Sequence, residues 1–353
     1  MKQVLSVLVI GALFSFFGTS AKAQQANVPR LHVDGKYFKD PYGNIVILRG
    51  FGFVSPDWGD KNRAGGMKWL IDKATNASEG WHPKVIRIMV EPAVWKSNPD
   101  AYFNKHLSPT VQHCIKKKVY CIVGWGKIAN YNESATDRQI RAFWNYVAPK
   151  YKNTPNVLYE LFNEPISPLA WSTWKATAQP WVDLVRSHAP QNIILIGGPH
   201  WDQMISGAAN APFKGNNLAY VAHIYPRTYY PHGWEAAVGV VANKHPVFVT
   251  EVGFQRVSKV GQTTVLGTLS NFGIPFKNWA DKKGISWTVG TFDAAWEPVV
   301  FDYQWNVIGG ENYQGQWVKD WLYEKRNSNL PALNPSLTPK VTRTRIPTVS
   351  ISN

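Results

Sequence analysis

At 353 residues and 44% hydrophobic content, the chain can bury the core of one large α/β domain, which excludes a predominantly disordered protein. The formal net charge of +15 raises nucleic acid as a partner, yet the densest basic run, Lys116-Lys117-Lys118, reads as the solvated end of a helix. With no recognition motif and no basic stripe, the charge argues against nucleic acid and favours anionic surfaces or acidic glycans.

Met1-Lys2-Gln3 is a short basic start, Val4 to Phe17 an apolar run too short to span a bilayer, and Ala21-Lys22-Ala23 an A-x-A cleavage site. Residues 1–23 therefore read as a secretory signal peptide. No second long apolar run follows, and no cysteine that would carry a lipid. The expectation is a soluble protein, secreted or periplasmic, with no membrane attachment. The domain is expected over residues 24–329.

Its first elements, Leu31 to Phe38 and Asn44 to Leu48 around the turn residues Asp40-Pro41-Tyr42-Gly43, predict an N-terminal β-hairpin running into a longer strand. Arg49-Gly50-Phe51-Gly52-Phe53 reads as a glycine-spaced turn ending that strand. Strands and helices then alternate. Predicted strands are Val85–Val90, Val119–Val123, Val157–Phe162, Ile193–Ile196, Leu218–Tyr225, Val247–Thr250 and Ile285–Phe292. Helical spacing covers 101–118, 136–151, 171–188, 234–243, 263–282 with a break near Gly273 and Pro275, and 315–324. Eight strands counted from Val46, most followed by a helix, predict an α/β fold of the parallel (β/α)8 TIM-barrel type. No G-x-G-x-x-G follows an early strand, which argues against a doubly wound open sheet. From Leu330 to residue 353 the chain is rich in Pro, Ser and Thr and reads as a tail. Cys114 and Cys121, one helical and one on a strand, are either two buried thiols or one disulfide; neither has metal-site spacing.

Chemistry concentrates at two strand ends, Leu161-Phe162-Asn163-Glu164-Pro165 and Val249-Thr250-Glu251-Val252-Gly253. In a barrel, residues at the C-terminal ends of strands share the working face, so Glu164 and Glu251 form a candidate catalytic pair of the kind that cleaves glycosidic bonds. Arg87, embedded in an apolar strand, needs a carboxylate partner, and Glu251 is the natural one. That pairing would keep Glu251 ionised as a nucleophile, while a less polar setting would keep Glu164 protonated. Asn163 is placed to hold a substrate hydroxyl. His223 and Tyr225, two apart, share a strand face beside Glu251. Seventeen tryptophans exceed what the core needs and fit a cleft where sugar rings stack on aromatic planes.

In this order, Ile86-Arg87-Ile88, Asn163-Glu164-Pro165, His223-x-Tyr225 and Thr250-Glu251-x-Gly253 resemble the retaining glycoside hydrolases of family five, the cellulase-type barrels. The resemblance spans about Leu31 to Trp321. It implies Glu164 as acid/base, Glu251 as nucleophile, and Arg87, Asn163, His223 and Tyr225 around the bond that breaks. The implied activity is endo-β-1,4-glucanase-like cleavage of β-linked polysaccharide by a monomer, with no metal or organic cofactor. Other β-glycans (mannan, xylan or a charged glycan), transglycosylation and a non-catalytic carbohydrate-binding barrel share these residues. Two positions depart from the family. Gly124-Trp125-Gly126 stands where Asp-Trp-His is usual, and Gly290 stands where a strand-eight tryptophan usually lies under the sugar. The platform is therefore expected to be rebuilt, with Trp125, Trp201 and Trp296 as substrate-binding candidates and Trp58 and Trp305 as further ones.

Overall fold

The computed structural model describes residues 28–229 and 233–332. The leader, nearly all of the C-terminal tail and positions 230–232 lie outside the described residues. Thirteen strands are numbered in chain order. They are β1 (His32–Asp34), β2 (Tyr37–Lys39), β3 (Ile45–Val46), β4 (Arg49–Phe53), β5 (Val85–Val90), β6 (Tyr120–Trp125), β7 (Ile128–Ala129), β8 (Val157–Glu160), β9 (Glu164–Pro165), β10 (Ile194–Ile196), β11 (Leu218–Ile224), β12 (Val247–Val252) and β13 (Ser286–Val289). Eight of them close a barrel in the order β10-β11-β12-β13-β4-β5-β6-β8, every pair parallel. Helices cover its outside, the longest being Ser134–Tyr151 and Trp171–His188. Among the described residues no helix is long and apolar enough to cross a membrane.

The first barrel strand differs from the sequence expectation. Ile45–Val46 belongs instead to a three-stranded antiparallel sheet with β1 and β2, and Arg49–Phe53, read as a turn, is the barrel strand. Its glycines made it look like a turn, but they serve close approach. A Cβ on Gly50 would lie 1.8 Å from the Val85 carbonyl oxygen of the neighbouring strand. Two helices following it, Pro56–Asn62 and Gly66–Ala74, complete the first βα unit and were not read from the sequence.

Strand alternation divides the interior into two cores. Ile86, Ile88, Val157, Tyr159, Tyr220, Ala222, Val247 and Val249 face the helices in one cluster. Val85, Ile122, Leu158, Leu195, Val221 and Phe248 face the axis in another, which continues into Leu31, Phe38 and Val46 of the antiparallel sheet. That sheet plugs the N-terminal mouth, with the Phe38 ring 6.3 Å from Phe248. The other mouth stays open. Cys114 and Cys121 are both buried and free, with thiols within hydrogen-bonding reach.

Candidate active site

Two residues above the apolar inward layer the same strands turn polar: Val85 is followed by Arg87, Leu158 by Glu160, Val221 by His223 and Phe248 by Thr250. A period of two puts each pair on one face, so the polar set forms a ring at the open mouth. The Arg87 guanidinium is nearly spanned by acceptors. Nε and Nη2 donate to the two oxygens of Glu160 at 2.6 and 2.9 Å, Nη2 to Asn163 Oδ1 at 2.6 Å, and Nη1 to Glu251 Oε1 at 2.7 Å. Burial opposes the Arg87 charge, but Glu160 and Glu251 outweigh it and keep the cation. Glu251 is thus a partner, as expected, but the bidentate one is Glu160. Sequence reasoning passed over Glu160 as part of an apolar run. A lone acid in one buried strand and a lone arginine in another were the signal that could have paired them.

Glu251 reaches this ring through an irregularity in β12. Ala222 pairs with Val249 and His223 with Glu251, and on the other side Val249 pairs with Trp287 and Val252 with Val289. One extra residue sits in β12 against both neighbours, a bulge that breaks alternation. Consecutive residues Thr250 and Glu251 therefore both work at the site. Thr250 Oγ1 donates to Glu160 Oε1 at 3.0 Å, while Tyr225 Oη donates to Glu251 Oε2 at 2.8 Å. Burial raises the Glu251 pKa, but His223, Arg87 and the Tyr225 hydroxyl overcome it and lower it to about 2. Burial and the adjacent Glu251 push the Tyr225 phenol well up, so it stays a donor.

Glu164 sits beyond the barrel strand rather than at its end. It begins β9, which pairs with β7: its N–H donates to the Lys127 carbonyl at 3.1 Å and that of Asn163 to the Trp125 carbonyl at 2.9 Å. This short ladder carries the side chain back over the mouth, where Oε1 lies 2.7 Å from His223 Nδ1. The less polar setting expected for Glu164 is not found, because a cation is its neighbour. Burial works against a charged His223, but Glu251, Asp202 and Glu164 push its pKa up to about 9. Both ring nitrogens then carry protons, and Nε2 donates to Thr250 Oγ1 at 3.1 Å. Asp202, the second residue missed from the sequence, lies behind the ring with Oδ2 3.4 Å from Nε2; burial raises its pKa well above the usual range. It arrives on a turn in which His200, Trp201 and Asp202 are all left-handed (φ 60°, 54° and 57°), which no local sequence signal announces.

One carboxylate oxygen each of Glu164 and Glu251 and one His223 nitrogen lie within 4.8 Å of one another, and Glu160, Asp202 and His223 form a similar group. Arg87 and Tyr225 already bond the Glu251 oxygens and Arg87 and Thr250 those of Glu160. The donor set is that of an acid–base network.

A cleft of about 850 Å³ opens over the pair and is lined by Arg87, Asn163, His223 and Tyr225. With its carbonyl oxygen taken by Arg87, Asn163 leaves its NH2 group as the donor for the cleft. Trp201 and Trp296 line it too, 38% and 49% exposed. Trp125 does not: it is fully buried against Trp95 and Phe143, which corrects the expectation of a platform there. Trp305 is packed on Trp69 and Phe301, away from the cleft lining. Partly buried Trp58 has the Arg63 guanidinium 4.5 Å from its ring centroid. Met89 explains Gly124, where a Cβ would lie 2.6 Å from the Met89 sulfur and 3.2 Å from Glu160 Cβ.

Residues 40–293 match the model of the cellulase family, glycosyl hydrolase family 5. The chain belongs to this family. An endoglucanase of Clostridium saccharobutylicum is 27% identical to this family-5 chain over 290 residues, 80% of this chain and 62% of the relative. Endoglucanase 5 of Pectobacterium carotovorum is 28% identical over 285 residues, 77% of this chain and 54% of that protein. The chain therefore spans less than two thirds of the length of these two curated relatives. Among solved structures, the β-glucanase SdGluc5_26A of Saccharophagus degradans in complex with cellotetraose superposes with a TM-score of 0.76 at 26% identity, covering 85% of this chain and 95% of that one. The catalytic domain of Thermobifida fusca endoglucanase Cel5A shares the fold, with a TM-score of 0.69 at 21% identity over 83% of this chain and 97% of that one.

Proposed function

We propose that the protein is an exported retaining glycoside hydrolase that cleaves a β-linked glucan by double displacement. The observation that carries this reading is the Glu164–Glu251 pair. One oxygen of each carboxylate lies within 4.8 Å of one of the other, which supports the close spacing of retaining enzymes over the roughly 6.5–9.5 Å that inverting ones use to seat a water against the sugar. Glu251, held ionised by Arg87 and Tyr225, attacks the anomeric carbon and bonds to it. The bond from that carbon to the leaving sugar's oxygen breaks, and Glu164 gives this oxygen its proton. The carboxylate that appears on Glu164 is met by the His223 imidazolium at 2.7 Å, so its charge is stabilised as it develops. Water then attacks the same carbon, Glu164 takes its proton, and Glu251 leaves as a carboxylate. Two inversions retain the configuration.

The glucan assignment is supported by the endoglucanase relatives and by the cellotetraose bound to the Saccharophagus β-glucanase. Export is supported by the leader pattern of residues 1–23. Incubation with β-glucans, mannans and xylans, with proton NMR of the first product, tests the proposal. A β-anomer formed first from a glucan is expected. First formation of the α-anomer, or turnover that persists in Glu251→Gln, would rule out the mechanism.

A further inference from the structure

Trp296 lines the cleft, is 49% exposed, and stands on the loop after β13. That loop is organised by one buried carboxylate. Asp293, fully buried, accepts from Arg63 Nε at 2.9 Å and Nη2 at 2.6 Å, and its Oδ1 also accepts the N–H groups of Ala295 at 2.7 Å and Trp296 at 3.2 Å. The backbone of Trp296 is therefore tied to a group that Arg63 neutralises from another loop. The Trp296 ring is held from the same side, meeting Trp58 edge-on at 5.5 Å and 90°, and Trp58 itself lies under the Arg63 guanidinium. An exposed indole fixed at both its backbone and its ring edge presents a flat face at low entropic cost, as a stacking platform requires.

The two open tryptophans of the cleft belong to opposite sides of the reaction. Trp296 follows β13, which pairs with the Glu251 strand; Trp201 follows β10, which pairs with β8, the strand leading to Glu164. In double displacement the nucleophile bonds to the glycone, and the acid protonates the oxygen of the departing sugar. We propose that Trp296 is the platform for the glycone and that Arg63 and Asp293 are its positioning residues. Trp201 then faces the departing part of the chain. The assignment of sides rests on the double-displacement reading above.

Initial rates on p-nitrophenyl β-cellobioside, whose leaving group carries no sugar, and on cellotetraose separate the two tryptophans. Trp296→Ala is expected to raise KM roughly tenfold on both substrates with kcat changed less than about threefold. Trp201→Ala is expected to weaken cellotetraose more than the aryl cellobioside. Arg63→Gln should move KM in the same direction as Trp296→Ala, with Arg63→Lys recovering part of the loss; a merely structural role would lower the amount of folded enzyme and leave KM alone. An unchanged KM for the aryl cellobioside in Trp296→Ala overturns the proposal. If the wild-type protein turns over neither substrate, it is the hydrolase reading that fails. The platform is then read by calorimetric titration with cellotetraose, where equal affinity of Trp296→Ala and wild type, including no binding by either, overturns it.

Discussion

The two layers inside the barrel are built by the same strands only two residues apart, yet they do opposite things. The lower layer, with Val85, Leu158, Val221 and Phe248, is apolar, sealed by the N-terminal sheet, and stabilises the fold by removing surface from water. The upper layer, with Arg87, Glu160, His223 and Thr250, buries charges whose desolvation is offset only by their mutual bonds. Packing tolerates small errors of shape, whereas a buried ionic network fails when one member is lost. The energy invested above therefore goes into holding Glu251 ionised and Glu164 beside a cation, and the stability comes from below.

Substitutions in the two layers break this comparison in graded ways. The largest effect is expected from Glu251→Gln, which removes the proposed nucleophile while keeping its shape: kcat should fall by at least roughly 10³-fold with the melting temperature little changed. Arg87→Met should lower turnover less than Glu251→Gln does but cost about 3–5 kcal/mol in denaturant unfolding, because Glu160 and Glu251 are left buried without their counter-ion. Leu158→Ala, one layer down, should cost a similar roughly 2–5 kcal/mol through the cavity it leaves, but with KM of the folded enzyme unaltered. If Leu158→Ala disturbs KM as much as stability, the two layers are not separable.

The smallest effect is on pH dependence, and its sign differs at the two ends. The folded pKa of Glu251 is depressed from 4.5 to about 2, so its contribution to stability is present above pH 4.5 and is lost as pH falls toward 2. The folded pKa of His223 is raised from 6.5 to about 9, so its contribution is complete below pH 6.5 and is lost as pH rises through 9. Melting temperature against pH should therefore show a plateau between about 4.5 and 6.5, and His223→Gln should flatten its alkaline side. An alkaline slope identical in wild type and variant would remove His223 from the network.

Much of this was readable in the chain because strand periodicity and strand-end chemistry are local. The βα alternation gave the barrel, and the glutamates after Asn163 and Thr250 gave the pair, since a carboxylate closing an apolar run is costly unless used. Failures came where the deciding contact is distant. Arg49–Phe53 looked like a turn because the reason for Gly50, the Val85 carbonyl, lies on another strand. Trp125 looked available because nothing near it in sequence shows Trp95 and Phe143 covering it.

By itself, then, the sequence determined the barrel, two carboxylates that meet at its open mouth, Arg87 as a buried cation needing an anion, and His223 with Tyr225 on one face. Only the tertiary structure decided that Glu160 takes the bidentate side of Arg87, that a bulge in β12 turns Glu251 inward beside Thr250, that Asp202 sits behind His223, and that Trp201 and Trp296 are exposed in the cleft lining. The physical reason is common to all four. Periodicity says which face a residue occupies, but partner choice, register shifts and exposure depend on side chains brought together from strands far apart in the chain.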